Sequence, residues 1–171
     1  MFINYYKTID GYSDICMTSD GCFLTGLWFK NSKDDIKHKG NYKIKDLPIF
    51  DETKKWLDIY FSGIIPDFTP KYKLENLTPF RNLIMEELKK IPYGSVVTYG
   101  DIARNVASIK GIKKMSAQAI GGAVAANPIC IIIPCHRVIG KNSRLVGFSS
   151  GIQNKIELLK LENKENSNIK Y

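Results

Sequence analysis

The residues with most chemistry in them are Pro134-Cys135-His136-Arg137-Val138, reached from the apolar run Ile131-Ile132-Ile133. A thiol and an imidazole stand side by side at the end of what reads as a short buried strand. The thiolate is a strong nucleophile, and histidine is the base whose ordinary pKa lies nearest neutrality. Pro134 has no backbone N–H, so it ends the strand and fixes where the thiol emerges. Neighbours in an extended segment point to opposite sides. His136 therefore does not reach the Cys135 sulfur directly, and a bent backbone or a bridging water has to connect them. A lone Cys-His pair is equally a small buried hydrophobe beside a core histidine. What lifts this one is its surroundings: Asn127-Pro128 upstream, the IIIPCHRVIG block, and Gly147-Phe148-Ser149-Ser150-Gly151 downstream.

The other thiols offer little. Cysteines 16, 22 and 130 complete a set of 4 without a C-x-x-C pair. Cys130 precedes the isoleucine run and is expected to be buried and inert. Cys16, Cys22 and His38 fit no common zinc spacing, so no metal is expected. A chain of 171 residues can build one good core or two small domains sharing an interface. Its 44% hydrophobic and 25% charged residues are those of an ordinary globular protein. No apolar run approaches the roughly 18 residues of a membrane span, and MFINYYKTID lacks a signal-peptide core. A soluble, cytoplasmic, monomeric protein with free thiols is the expectation. The net charge of +8 is lopsided: residues 1–75 hold 11 Lys and 11 Asp/Glu, whereas residues 76–171 hold 14 Lys/Arg and 6 Asp/Glu. The excess sits in the half with the cysteine motif, as a footprint for a phosphate backbone would.

These groups need a scaffold. Asn4–Asp10, Ser13–Thr18 and Cys22–Phe29 read as strands separated by Asp-Gly pairs at 10–11 and 20–21, a hairpin signal. A charged loop over Lys30–Lys45 follows. Phe50–Phe61 then reads as a helix, with Phe50, Trp56/Leu57 and Tyr60/Phe61 on one face. Residues 64–76, with two prolines, read as a linker between an N-terminal domain (1–75) and a C-terminal domain (77–163); 164–171 is a polar tail. Thr78 and Pro79 open a helix with Phe80, Leu83/Ile84 and Leu88 buried. Thr98 caps a second, Tyr99–Val106. The basic loop Ile109–Lys114 leads to a third at about Ser116–Ala126, and the last two resemble a helix-turn-helix. The third helix is rich in small residues, among them Ala117, Gly121 and Gly122. Each glycine costs about 1 kcal/mol against alanine, which calls for tight helix packing or close approach to a nucleic-acid backbone. A last helix, Ile152 to about Glu162, has Ile152, Ile156 and Leu159 at helical spacing. The fold class is α+β: a small N-terminal domain with an antiparallel hairpin sheet plus helix, then a mainly helical C-terminal domain.

The PCHRV block resembles that of the O6-alkylguanine-DNA alkyltransferases, also called methylated-DNA–protein-cysteine methyltransferases. The resemblance extends through Leu57–Gly63, Pro92-Tyr93-Gly94, Val97–Ala103 and Ala119–Ala123, and covers most of residues 5–162. It implies direct repair of O6-alkylguanine, chiefly O6-methylguanine. The base is flipped out of duplex DNA and its alkyl group passes irreversibly to Cys135, once per molecule and without a cofactor. It makes His136 the base acting through a water, Glu162 the group that orients His136, and Asn127 the organiser of the cysteine loop. Glu162 follows Leu158 by four residues and Leu159 by three, which points it to the apolar side, where a carboxylate needs a partner; by position alone it is a helix-end surface residue. Tyr99 becomes the donor to the leaving base, though it is equally a core tyrosine. Val138, Phe148 and Ser149 line the base pocket, the Val138 carbonyl accepting from the guanine amino group. The third helix enters the minor groove with Ala117, Gly121 and Gly122 against DNA, and Lys113, Lys114 and Arg137 add contacts. The partner is double-stranded DNA bound largely without sequence specificity. Two positions depart from the commoner pattern: Gln118 stands where many relatives use arginine to fill the gap left by the flipped base, and Phe148 where tyrosine is frequent.

Three other readings fare worse. A DNA-binding relative without transferase activity would lack the cysteine. A cysteine hydrolase would need a distant histidine, and His38 in a charged loop is a poor one. A sequence-reading regulator would carry base-reading arginines on the third helix.

Overall fold

The structure, a computed structural model, describes residues 1–163; the polar tail expected at 164–171 lies outside the described residues. Strands β1 (Phe2–Tyr6), β2 (Ile15–Ser19) and β3 (Leu24–Phe29) pair antiparallel in sequence order. The second Asp-Gly pair makes the tight turn: Asp20 Oδ1 accepts from the amides of Cys22 (2.9 Å) and Phe23 (2.8 Å), and Gly21 has φ +116°. That conformation suits only a residue without Cβ. The first pair lies in a longer loop, residues 7–14. β1 starts earlier than expected because Phe2 and Ile3 gain a parallel partner, β4 (Lys43–Ile44), which completes the sheet order β3-β2-β1-β4.

The segment Lys30–Lys45 is not a plain loop. It holds β4 and a short helix, α1 (Lys33–Lys37), capped by Ser32 Oγ, which accepts from the Asp35 amide at 3.2 Å. Five residues are too few for periodicity to reveal. α2 (Pro48–Phe61) follows the expected face, burying Phe50, Trp56, Leu57, Tyr60 and Phe61. The stretch read as a linker is extended and hydrogen-bonded to β3: Lys73 N donates to Leu24 O and Leu24 N to Lys71 O, both at 2.9 Å. Farther along the same edge, Leu27 N donates to Pro128 O and Cys130 N to Leu27 O, both at 2.8 Å. An otherwise open strand edge is thus covered, in part by the loop that leads to the cysteine.

The second half is helical: α3 (Pro79–Lys89), α4 (Tyr99–Ile109), α5 (Ala117–Val124) and α6 (Ile152–Glu162). Thr78 caps α3, and Thr98 with Asp101 forms a reciprocal capping box on α4, Thr98 N donating to Asp101 Oδ2 at 2.7 Å. α4 and α5 are the two arms of a helix-turn-helix. One parallel pairing places the site: β5 (Val97–Thr98) aligns with β6 (Val138–Ile139), so the strand that leads into α4 lies beside the strand that leaves the cysteine turn. The apolar cluster runs without a break from Tyr6 to Leu158, through both halves of the chain.

Two local readings need correction. Ile131–Ile133 is not a strand: Ile131 sits at φ +70°, and the loop is closed by Asn127, whose Nδ2 donates to Ile133 O (2.8 Å) and whose Oδ1 accepts from Ile129 N (3.0 Å). A side-chain amide replaces the partner strand, and Ile131 and Ile133 are buried in the apolar cluster. On α6 the buried stripe is Asn154, Lys155, Leu158, Leu159 and Glu162, while Ile152 is 45% exposed. The helix turns its two buried charges inward, against the hydrophobic pattern.

Candidate active site

Cys135 opens a 3-10 turn, Cys135–Arg137, and is buried. Asn127 Nδ2 lies 3.1 Å from its Sγ, so one amide both closes the loop and donates to the sulfur. Burial pushes the thiol up to about 11; the Asn127 bond opposes this, Asp34 adds to it, and Lys155 opposes it. At neutral pH the resting group is the thiol, and a base is needed to make the nucleophile.

His136 is fully buried and makes no bond to Cys135. Its Nε2 is 2.8 Å from Glu162 Oε1, while Nδ1 has no hydrogen-bond partner among the described residues. Burial lowers the imidazole's pKa, with the Glu162 charge acting the other way. Glu162 is held from every side. Its Oε1 accepts from Tyr60 OH (2.6 Å) and Arg137 Nη2 (2.9 Å), and its Oε2 from Arg137 Nε (2.8 Å) and Gly94 N (3.2 Å). Burial alone would raise the carboxyl, but His136 and Arg137 reverse this and hold it well below the usual carboxylate range. An ionised carboxylate can only accept, so Nε2 carries the proton and Nδ1 presents a lone pair. Gly94 can approach this carboxylate because it lacks a Cβ: φ is +73°, and a Cβ would lie 3.1 Å from Glu162 O.

Arg137, expected on the DNA surface, is instead buried, bidentate to Glu162, with Nη1 donating to Ile91 O at 2.7 Å. A buried carboxylate needs a charge partner, and the nearest residue in the motif supplies it.

A cleft of about 1140 Å³ opens beside Tyr99. One wall is α5, through Ala117, Gln118, Gly121 and Ala125; the other is Val146–Ser149, with Tyr99 between them. Cys135 does not line it. Tyr99 does, and its hydroxyl is pushed up to about 12 by burial first and Cys135 second, so it keeps its proton. Gly122 faces away from this cleft into open space, and a Cβ on Gly121 would only graze the Tyr99 ring at 3.9 Å. Internal packing therefore does not explain the two glycines. Lys113 and Lys114 border a neighbouring cleft that shares Gln118. Cys130 is buried, donating to Leu27 O at 2.9 Å, with its thiol well above the ordinary range through burial. Cys16 lies 3.7 Å from Asp35, and His38 stacks on Trp28. Among the described residues no cluster of three or more His, Cys, Asp or Glu could hold a metal ion. No described helix is long and apolar enough to cross a membrane.

Three functional neighbours escape sequence reasoning. Tyr60 is a core aromatic by position; only its hydroxyl reaches the site. Lys155 Nζ donates to Val138 O at 2.6 Å and stands 5.6 Å from the Phe148 ring centroid, with burial pulling its pKa down to about 8. A signal existed: Lys155 and Glu162 flank Leu158 and Leu159 at i, i+3, i+4, i+7. Asp34, in the short helix α1, had none.

A buried thiol, a base with a fixed tautomer and a helix-turn-helix beside them define a cysteine group-transfer centre set against a nucleic-acid-binding motif. Residues 79–164 match the family model described as the 6-O-methylguanine DNA methyltransferase DNA-binding domain. A methylated-DNA–protein-cysteine methyltransferase of Methanosarcina acetivorans is 42% identical over 92% of this chain and 97% of its own length. That of Haemophilus influenzae is 34% identical over 95% and 86%. The crystal structure of Mycobacterium tuberculosis OGT in complex with DNA superposes with a TM-score of 0.81 at 30% identity, covering 96% of this chain and 94% of that one. The chain belongs to the methylated-DNA–protein-cysteine methyltransferase family.

Proposed function

We propose that this protein repairs O6-alkylguanine, chiefly O6-methylguanine, in duplex DNA by moving the alkyl group to Cys135. The observation that carries the reading is the His136–Glu162 pair, which leaves a basic Nδ1 in the same 3-10 turn as the thiol. His136 Nδ1 takes the Cys135 proton through one water. The thiolate attacks the alkyl carbon in line, the C–O bond breaks, and its electron pair leaves with the guanine. Tyr99 OH hydrogen-bonds to the departing base, and the proton lost by the thiol replaces any that Tyr99 gives up, so the base is left in the strand as neutral guanine and Tyr99 stays protonated. The product is a thioether, which has no leaving chemistry open to it, so each molecule acts once. No external cofactor enters this balance.

A base inside a duplex is out of reach and must be extruded. The cleft between α5 and Val146–Ser149 has the size for it, with Phe148 as a stacking face; the Val138 carbonyl accepts from Lys155 and would need its second lone pair to meet the base. The exposed Gly122, with Ala117, allows a DNA backbone to come close, Gly121 leaves room in the cleft beside Tyr99, and Lys113 and Lys114 supply charge for phosphates. The test is a titration of the protein into duplex DNA containing O6-methylguanine, followed by hydrolysis and chromatography of the bases. Loss of O6-methylguanine should equal protein added, with guanine regained in the same amount. Turnover beyond one equivalent, or release of a methylated small molecule, would contradict the reading.

Gln118 lies at the edge of the cleft, where a side chain could fill the stack vacated by the base. Gln118→Ala should slow repair of duplex O6-methylguanine about tenfold, since flipping costs a few kcal/mol. It should leave reaction with free O6-benzylguanine, which needs no flipping, within about twofold. Equal losses on both substrates would place Gln118 in the fold or the pocket instead.

A further inference from the structure

The two walls of the cleft are tied together from outside the catalytic half. Asp34, on α1, is 2% exposed. Its Oδ2 accepts from Ser149 Oγ at 2.8 Å and Ser150 Oγ at 2.5 Å, and Lys33 N donates to Ser149 O at 3.0 Å. Its Oδ1 accepts from Lys37 Nζ at 3.1 Å, and the same ammonium donates to Ala125 O, at the C-cap of α5, at 3.2 Å. One buried carboxylate therefore links the segment carrying Phe148 and Ser149 to the end of α5. Both are walls of the cleft, and among the described residues no hydrogen bond joins them directly.

We propose that Asp34, with Lys37, is a positioning residue that braces the base pocket, holding its two walls at the separation that binds the alkylated base. This gives the N-terminal half a direct part in substrate binding, and it rests on the function proposed above. The chemistry suits a brace. A buried carboxylate with three donors is costly to leave half-satisfied, so the arrangement is fixed rather than fluctuating. The segment has other ties, Gly151 N to Phe148 O, Asn154 Nδ2 to Ser150 O at 2.8 Å, Lys155 Nζ to Val146 O at 3.4 Å and Ser150 Oγ 3.2 Å from Cys130 Sγ, but the tie that runs on to α5 is the one through Asp34 and Lys37. Asp34 touches no reacting atom, so its loss should weaken capture of the base, leaving the transfer step intact.

Hydrogen exchange reads the brace without any substrate. In Asp34→Ala the amides of residues 148–151 and of Ala125 should exchange about tenfold faster than in the wild type, while α2 and α3 stay unchanged. The kinetic consequence is read with free O6-benzylguanine. Asp34→Ala should raise the half-saturating concentration about tenfold and leave the limiting rate within about twofold. Asp34→Asn keeps an acceptor for the serine hydroxyls but turns its NH2 toward the Lys37 ammonium, so it should restore slow exchange at residues 148–151, leave Ala125 fast, and recover only part of the binding. Ser149→Ala/Ser150→Ala should reproduce the loss and add little to Asp34→Ala, because both break one link. That variant and Lys37→Met also cover the case in which Asp34→Ala does not fold. Unchanged exchange would overturn the proposal, as would a changed limiting rate with unchanged half-saturation, which would mean that Asp34 acts on the transfer step; its charge raises the Cys135 thiol, so loss of that charge alone would speed transfer. A wild type inert to O6-benzylguanine would instead count against the proposed function, and the exchange result would still decide the brace.

Discussion

Cys135→Ala should abolish transfer entirely while leaving affinity for duplex DNA within about threefold, because one sulfur does the chemistry and many groups hold the backbone. Cys135→Ser tests the same point at nearly constant shape. A serine hydroxyl is far harder to ionise than a thiol, and His136 Nδ1 cannot compensate for that. Rapid-quench assays would follow transfer and fluorescence anisotropy would follow binding. Residual methylation of Cys135→Ala would send the search to the other thiols. Cys130 is the nearest in sequence, but it is buried and bonded to Leu27 O.

The second large effect belongs to Glu162. Glu162→Gln keeps the shape but removes the charge that Arg137 was buried to meet. It also frees His136 to take either tautomer. Breaking a buried pair on one side typically costs about 3–5 kcal/mol, and misdirecting a general base costs about two to four powers of ten in rate. Stability and transfer should therefore fall together. A pH series separates them. The folded-state pKa of Glu162 is depressed, so its stabilising contribution is complete above the ordinary carboxylate range and is lost as pH falls below about 4. Urea unfolding should show a clear gap between wild type and Glu162→Gln at pH 7 that narrows below about pH 4. A gap constant down to pH 2 would mean that the charge plays no part.

How far the sequence leads can be judged residue by residue. Local signals worked where the physics is local: Thr78-Pro79 and Thr98 mark helix starts, Asp20-Gly21 marks a turn, and the apolar face of α2 is periodic. Nothing local announces that Val97-Thr98 pairs with Val138-Ile139, 41 residues away, yet that pairing sets the strand leading into α4 beside the strand that leaves the cysteine turn. Arg137 looked like a surface cation because its partner, Glu162, lies 25 residues away. α1 was hidden by its shortness, and the role of Asp34 depends on Ser149 and Ser150 more than a hundred positions later. The family resemblance supplied Cys135, His136 and Glu162 as a set. The structure adds why Glu162 fixes the tautomer and what holds Glu162 in turn.

The most direct measurement is peptide mass spectrometry after incubation with duplex DNA containing O6-methylguanine. The account predicts a single methyl group on the peptide carrying Cys135, fragmenting at that sulfur, with the other cysteines unmodified and no change after incubation with undamaged DNA. A methyl on any other residue, or none on Cys135 while O6-methylguanine disappears from the DNA, would contradict it.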